Sequence, residues 1–282
     1  MKFIVNGTFS SYAEKILEQK DYYIDYTGGK ISSAQFRDAM LADADLADIA
    51  AGFSSGNIVR IAKMPPNERM PAEGIMESLL YGGFDEYRKN IYANYNHGEF
   101  ITYVYPEDER LMYAAAKLAR ISKPENMKVF VAGSYYGYLA VWAMRVVCDS
   151  GGFAVLSDID EEVCRLAREN FKNLGLQDSA GIYCEDASSL LAERGKPEAI
   201  DMLVLDATGR GDDARPDFRG KRIYGALLRE AKPFLRKGSV IYIHNMEPEN
   251  PEMKMLVDEL RAVNALGGSY DTFNGWGVYI VH

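Results

Sequence analysis

Asp206, His244 and Asn245 are the residues of this chain whose types and placement most suggest chemistry. Asp206 follows the apolar run Met202–Leu205, and His244-Asn245 follows the β-prone run Val240–Ile243. A carboxylate at the end of so apolar a run is costly to place unless it is paired or binds something. Carboxylate oxygen, imidazole nitrogen and amide oxygen together suit a divalent metal. The same set suits a histidine base beside an orienting carboxylate, with no metal. A hydrogen-bonded structural histidine is the plainer alternative. His244 is one of three histidines, with His97 and His282. Its alignment with other candidate strand ends ranks base or metal ligand above structure.

A second group of candidates lies upstream. The apolar run ending at Ala132 meets Gly133-Ser134-Tyr135-Tyr136-Gly137-Tyr138, after which a helical apolar pattern begins. Glycine permits a sharp turn and a close ligand approach. The amide groups opening the next helix favour negative charge. Two glycines four apart are alone a weak signal. After the next β-prone run come Asp158, Ile159, Asp160 and Glu161. Asp158 suits both hydroxyls of a ribose, whereas Asp160 suits a helix cap. After the third run, Asp186 suits either an adenine amino group or a helix cap, with ligand contact ranked slightly ahead. Ile159 and Ala187, beside these acids, are candidates for the same ligand.

These residues need elements to bring them together. From Met127 onward, strand candidates Lys128–Ala132, Ala154–Ser157, Gly181–Cys184, Met202–Leu205 and Val240–Ile243 alternate with helical patterns. The helices are expected over Tyr138–Val147, Glu161–Leu174, Phe218–Phe234 and Pro251–Val263. That alternation predicts an α/β fold with a parallel sheet, whose ligands gather beyond the strands' carboxyl ends. Asn274-Gly275, between Ser269–Phe273 and Trp276–Val281, predicts a final antiparallel hairpin. Residues 1 to about 125 read instead as a helical appendage. Periodic segments lie near Ser10–Glu18, Ser33–Ala50, Ala72–Tyr95 and Asp108–Ile121. Its many tyrosines are expected to pack, with a pocket role reserved for Tyr22, Tyr23 or Tyr26.

Bulk properties narrow the classes. A chain of 282 residues accommodates one large α/β domain with a sizeable appendage. The net charge of −9 argues against coating nucleic acid or an anionic membrane. Three cysteines without a C-x-x-C pair fit a reducing, cytoplasmic setting rather than a disulfide framework. No apolar run is long enough to span a membrane or to act as a signal peptide.

From about Met127 to His282, the chain resembles class I S-adenosylmethionine-dependent methyltransferases, most closely the catechol O-methyltransferase-like branch. Three stretches carry this: Gly133 to Tyr138, Ile200 to Asp206, and Leu235 to Asn245. The resemblance implies a Rossmann-like, seven-stranded, mostly parallel sheet closed by an antiparallel hairpin. It implies a domain at 126–282 that binds S-adenosylmethionine; residues 1–125, which it does not cover, are read as a helical substrate lid. Gly133, Ser134, Tyr135 and Gly137 would hold the methionine part, Asp158 the ribose, and Asp186 the adenine. In the cation-dependent branch an Asp after strand four and an Asp-Asn pair after strand five bind magnesium. The matching positions are Asp206, His244 and Asn245, so histidine replaces one acid, which suits a softer metal. The branch's lysine after the strand-four acid is absent, since Ala207-Thr208-Gly209 stand there. Val131 stands where the first strand usually carries an acid, and Leu139 replaces a small hydroxyl residue.

The expectation is therefore a methyltransferase acting on oxygen or nitrogen of a small-molecule acceptor, with a homodimer contact from the appendage. His244 would be base or metal ligand, Asp206 would orient it or share the metal, and Asn245 would position the acceptor. Two alternatives use the same ligand differently: aminocarboxypropyl transfer or cyclisation, and binding without catalysis. A dehydrogenase is weaker, because the spacing after Gly133 is not that of the dinucleotide fingerprint.

Overall fold

The computed structural model describes residues 83–282 apart from 103, 195–198, 247–249 and 271–274, together with residues 21, 22, 25, 30, 31 and 35. The expected helices at Ser10–Glu18 and Ser33–Ala50, and the first part of Ala72–Tyr95, lie outside these residues, save that Gln35 is helical.

Among the described residues, helices α1 (Phe84–Asn94) and α2 (Pro106–Ser122) precede the sheet. Strands and helices then alternate through β1 (Lys128–Ala132), α3 (Tyr138–Asp149), β2 (Phe153–Asp158), α4 (Glu161–Asn173), β3 (Ala180–Cys184) and α5 (Ala187–Arg194). They continue with β4 (Ile200–Leu205), α6 (Ile223–Ala231), β5 (Leu235–His244), α7 (Lys254–Ala262), β6 (Ala265–Tyr270) and β7 (Trp276–Val281). The strands form one seven-stranded sheet in the order β3-β2-β1-β4-β5-β7-β6. Its first five members are parallel; β7 runs antiparallel to both β5 and β6.

Successive strand residues point to opposite faces, and the central strands bury both. Val129, Val131, Met202, Val204, Val240 and Tyr242 join the core on one face. Phe130, Ala132, Leu203, Leu205, Ile241 and Ile243 join the core on the other. Strands covered on both sides read as continuous apolar runs, which is why β4 carries no alternation.

The first core also takes in α1, α2 and α3. Helix α3 is apolar all round because α2 covers the flank that does not face the sheet. Its Trp142 is fully buried, with the rings of Phe84, Tyr87, Tyr92 and Tyr138 centred 5.8, 6.1, 5.9 and 5.8 Å away. Most of the tyrosines described before residue 125 pack in this way. Asn170 of α4 clips the segment after α1 in place, exchanging two 2.8 Å hydrogen bonds with the backbone of Asn96.

Several boundaries differ from expectation. Helix α2 begins at Pro106, not Asp108: proline fits the first turn, and Asp108 accepts from the Tyr105 N–H at 2.8 Å. The expected helix Phe218–Phe234 is a 3₁₀ turn at Pro216–Phe218, then α6, then a second 3₁₀ turn at Lys232–Phe234. Helix α5 is given no range by the sequence, which implies it only through a cap at Asp186. Strand β6 begins at Ala265, where the sequence suggests Ser269. Tyr270 pairs with Trp276, so five residues join the strands rather than a two-residue Asn-Gly turn. The gain is a longer ladder against β7.

Candidate active site

A cavity of about 350 Å³ runs along the carboxyl edge of the sheet. Gly133, Tyr135, Asp158, Ile159, Asp186, Ala187, Asp206, His244 and Asn245 all line it. Of the residues singled out from sequence, Ser134 and Gly137 do not. Ser134 is 4% exposed, and a Cβ on Gly137 would lie 2.9 Å from the Phe171 ring, so both serve packing behind the loop. Tyr22 does not line the cavity, and Tyr23 and Tyr26 lie outside the described residues.

The glycine loop is held from below. The Gly133 and Ser134 amides donate to Ser157 O at 3.0 and 2.8 Å, and the Gly137 amide donates to Ser134 O at 2.8 Å. The Tyr135 amide donates to Asp158 Oδ2 at 2.7 Å. These four amides thus have protein acceptors, so the loop is a preformed wall more than an anion cradle. Gly133 is required twice. Its φ is +79°, and a Cβ there would come within 2.5 Å of Ala207 Cα. That crossing brings the loop after β1 directly against the end of β4.

On the β2–β3 side, Asp158 also accepts from the Asp160 amide at 3.2 Å. Burial pushes the Asp158 pKa up, against the downward pull of the donated amides. A carboxylate with two oxygens keeps acceptor capacity for a diol beyond these bonds. Asp160 caps α4, accepting from the amides of Glu162 and Val163 at 2.8 and 3.2 Å. Ile159 is 56% exposed, an unusual apolar side chain left against a cavity. Asp186 caps α5 through Oδ1, from Ser188 N at 2.9 Å and Ser189 N at 3.3 Å. Its Oδ2 lies 3.6 Å from the Arg215 guanidinium, which stacks over the Phe218 ring.

On the β4–β5 side, His244 is 2% exposed. Its Nδ1 lies 2.9 Å from Asp206 Oδ1. Its Nε2 faces Asp108 Oδ2 at 3.5 Å, and Asp108 is fully buried at the start of α2. Burial alone would lower the imidazole pKa. The charges and hydrogen bonds of Asp206 and Asp108 outweigh it and raise the value to about 10. The ring is lodged between two carboxylates, which favour its protonated form. Asn245 adopts φ +53° as the chain turns off β5.

That arrangement bears on a metal. A histidine ligand must turn a lone pair toward the ion. Both ring nitrogens here face carboxylates. Among the described residues no group of three or more His, Cys, Asp or Glu side chains is arranged to hold a metal ion. Asp206, His244 and Asn245 line one cavity, but their donor set does not fit a metal.

Sequence reasoning did not find Thr102, Val104, Arg210 or Phe218, which also line the cavity. Nor did it find Asp108 as a partner of His244; the residue read only as a helix start. No local signal marks any of them, because their place depends on how α2 and the loop after β4 fold over the sheet.

The sheet order, the glycine loop and the acids ranged along the strand ends are those of the Rossmann-like α/β fold that methyltransferases share. Residues 130–246 match a family model described as a methyltransferase domain. Among solved structures, the cofactor-bound Rv0187 protein from MTB aligns with a TM-score of 0.51 at 17% identity, over 78% of this chain and 99% of that one. An O-methyltransferase from Bacillus cereus in complex with SAH aligns at 0.48 and 18%, over 71% and 90%. The O-methyltransferase TomG from Streptomyces achromogenes, involved in tomaymycin synthesis and in complex with SAM, aligns at 0.47 and 15%, over 77% and 99%. At 17% identity the likeness to the Rv0187 protein speaks for fold alone. No curated protein matches the chain. Among the described residues no helix is long and apolar enough to cross a membrane.

Proposed function

We propose that this protein transfers the methyl group of S-adenosylmethionine to an oxygen or nitrogen of a small-molecule acceptor. The supporting observation is a single cavity with Asp158, Ile159 and Asp186 toward one end and the Asp206–His244 pair toward the other. When bound, S-adenosylmethionine supplies an electrophilic methyl carbon on a positively charged sulfur. Asp158 accepts from the ribose hydroxyls, Ile159 and Ala187 flank the adenine, and Asp186 accepts from its amino group. Gly133 and Tyr135 wall the methionine part.

The acceptor sits between this ligand and Asp206. The sequence suggested His244 as the base, but the two carboxylates at its ring favour the protonated form, which is no base. Asp206 suits the role instead: Oδ1 accepts from His244 and Oδ2 serves the acceptor. The acceptor's lone pair forms the new bond to the methyl carbon while the sulfur–carbon pair returns to sulfur. The acceptor's proton passes to Asp206. Alignment supplies most of the rate, with proton removal adding to it. Asn245 orients the acceptor's remaining polar group. No step requires a metal.

We also propose that residues 1–125 serve as the substrate wall of the 126–282 domain, through Thr102 and Val104 at the cavity. The free thiols Cys148, Cys164 and Cys184 suit a reducing, cytoplasmic compartment.

Isothermal calorimetry with S-adenosylhomocysteine tests the binding half of this reading. Mass analysis of the nucleoside released from S-adenosylmethionine tests the chemistry. Adenosylhomocysteine supports methyl transfer, whereas methylthioadenosine would replace it with aminocarboxypropyl transfer or cyclisation.

A further inference from the structure

The proposed function does not use Asp108, yet this carboxylate is fully buried and lies 3.5 Å from the ring of the site's histidine. Its capping duty needs one acceptor for the Tyr105 amide, and Oδ2 supplies it at 2.8 Å. A cap alone has no reason to be buried against an imidazole. Helix α2 packs along β4 and β5, and this carries its first turn to the ends of those strands. The groups facing His244 come from four elements. Asp206 follows β4, Asp108 opens α2, Tyr224 of α6 donates to the His244 carbonyl at 2.8 Å, and the uncharged Trp276 pairs across from β7.

We propose that Asp108 is a positioning residue of the methyl-transfer site, acting with Asp206 to grip both ring nitrogens of His244. Gripped at both nitrogens, the ring cannot flip or swing. Asp206 Oδ1 stays occupied and Oδ2 stays aimed at the acceptor. Asp108 does not line the cavity and touches neither ligand directly. It also ties the segment before the sheet to the chemistry, since its helix begins directly after the wall residues Thr102 and Val104. The inference rests on the methyltransferase reading for its purpose, but not for its geometry.

The test uses the full-length protein with Asp108→Asn, whose amide oxygen still accepts from Tyr105, and Asp108→Ala as a second variant. Imidazole nitrogens are followed by ¹⁵N NMR across pH; with three histidines in the chain, His97→Gln and His282→Gln assign the signals. In Asp108→Asn the His244 ring is expected to titrate at least about one pH unit lower than in the parent. S-adenosylhomocysteine affinity should stay within about two-fold of the parent, because the cavity wall is intact. Turnover on any acceptor found should fall about ten-fold or more in kcat with KM little changed. An unchanged ring titration in a folded Asp108→Asn protein overturns the proposal. So does a large loss of S-adenosylhomocysteine binding, which would make Asp108 part of the binding wall. If the parent does not bind S-adenosylhomocysteine at all, the methyltransferase reading fails, while the ring titration still decides whether Asp108 holds His244.

Discussion

Replacing Gly133 by Ala probes the contact on which the site is built. Two costs add at this position. An L residue held at φ +79° costs about 1–2 kcal/mol. The new Cβ would also stand 2.5 Å from Ala207 Cα, 2.6 Å from Ala207 N and 2.7 Å from the Asp206 carbonyl carbon. All three are backbone atoms, so no side chain can swing aside; forcing extra volume into such a joint costs about 1–3 kcal/mol. The total is about 2–5 kcal/mol, which lowers Tm by roughly 4–20 °C in a domain of this size. Gly175→Ala is the matched control. Its φ is +70°, with nothing within 4 Å of the added Cβ, so it carries the conformational cost alone, about 1–2 kcal/mol. Differential scanning calorimetry measures both, and titration with S-adenosylhomocysteine reports on the site. Gly133→Ala should lose the larger share of stability and also lose affinity, because relief comes from moving the glycine loop or Asp206. Equal Tm losses for the two variants, with ligand binding intact in both, would refute the close crossing of β1 and β4 at the cavity.

Four further outcomes are expected. Asp158→Ala should weaken S-adenosylhomocysteine at least ten-fold, about 1.4 kcal/mol, with Asp158→Asn milder because its amide oxygen still accepts from Tyr135; calorimetry distinguishes them. Tyr138→Phe should destabilise the fold by about 1–3 kcal/mol in urea, since buried Glu109 accepts from Tyr138 at 2.7 Å and Tyr92 at 2.6 Å and would lose one donor. The imidazole of His244 is held up to about 10 in the fold against 6.5 when unperturbed, so its stabilising contribution is full below pH 6.5 and fades as pH climbs toward 10. Denaturation midpoints should therefore fall over that window in the parent and less steeply in His244→Gln. Finally, added magnesium, manganese or zinc should not raise Tm, and a chelator should not lower it; a clear metal-dependent rise would restore the metal reading of Asp206, His244 and Asn245.

Much of the framework was legible in the chain because it is written in local patterns. Continuous apolar runs ending in Gly or Asp mark the parallel strands, and the intervening 3.6-residue periodicity marks α3 and α4. The acids along the strand ends follow from that alternation alone, which is why Asp158, Asp186 and Asp206 were found without any structure. Register was less legible. The Asn274-Gly275 pair resembles a tight turn, yet cross-strand pairing over β6 and β7 extends the ladder back to Ala265 and leaves a longer connection. The loop before α6 likewise breaks an apparent helix into 3₁₀ turns, where Pro216 and Pro233 cannot donate to a continuous helical ladder.

The sequence by itself determined the order of elements, the sheet's mostly parallel character and the acids and glycines at its rim, since each depends on residues close together in the chain. Tertiary structure alone decided the state of His244. Its state turns on which charges surround the ring, and Asp108 and Asp206 reach it from well-separated parts of the chain. Burial without those two carboxylates would favour a neutral histidine; with both, the protonated ring is favoured.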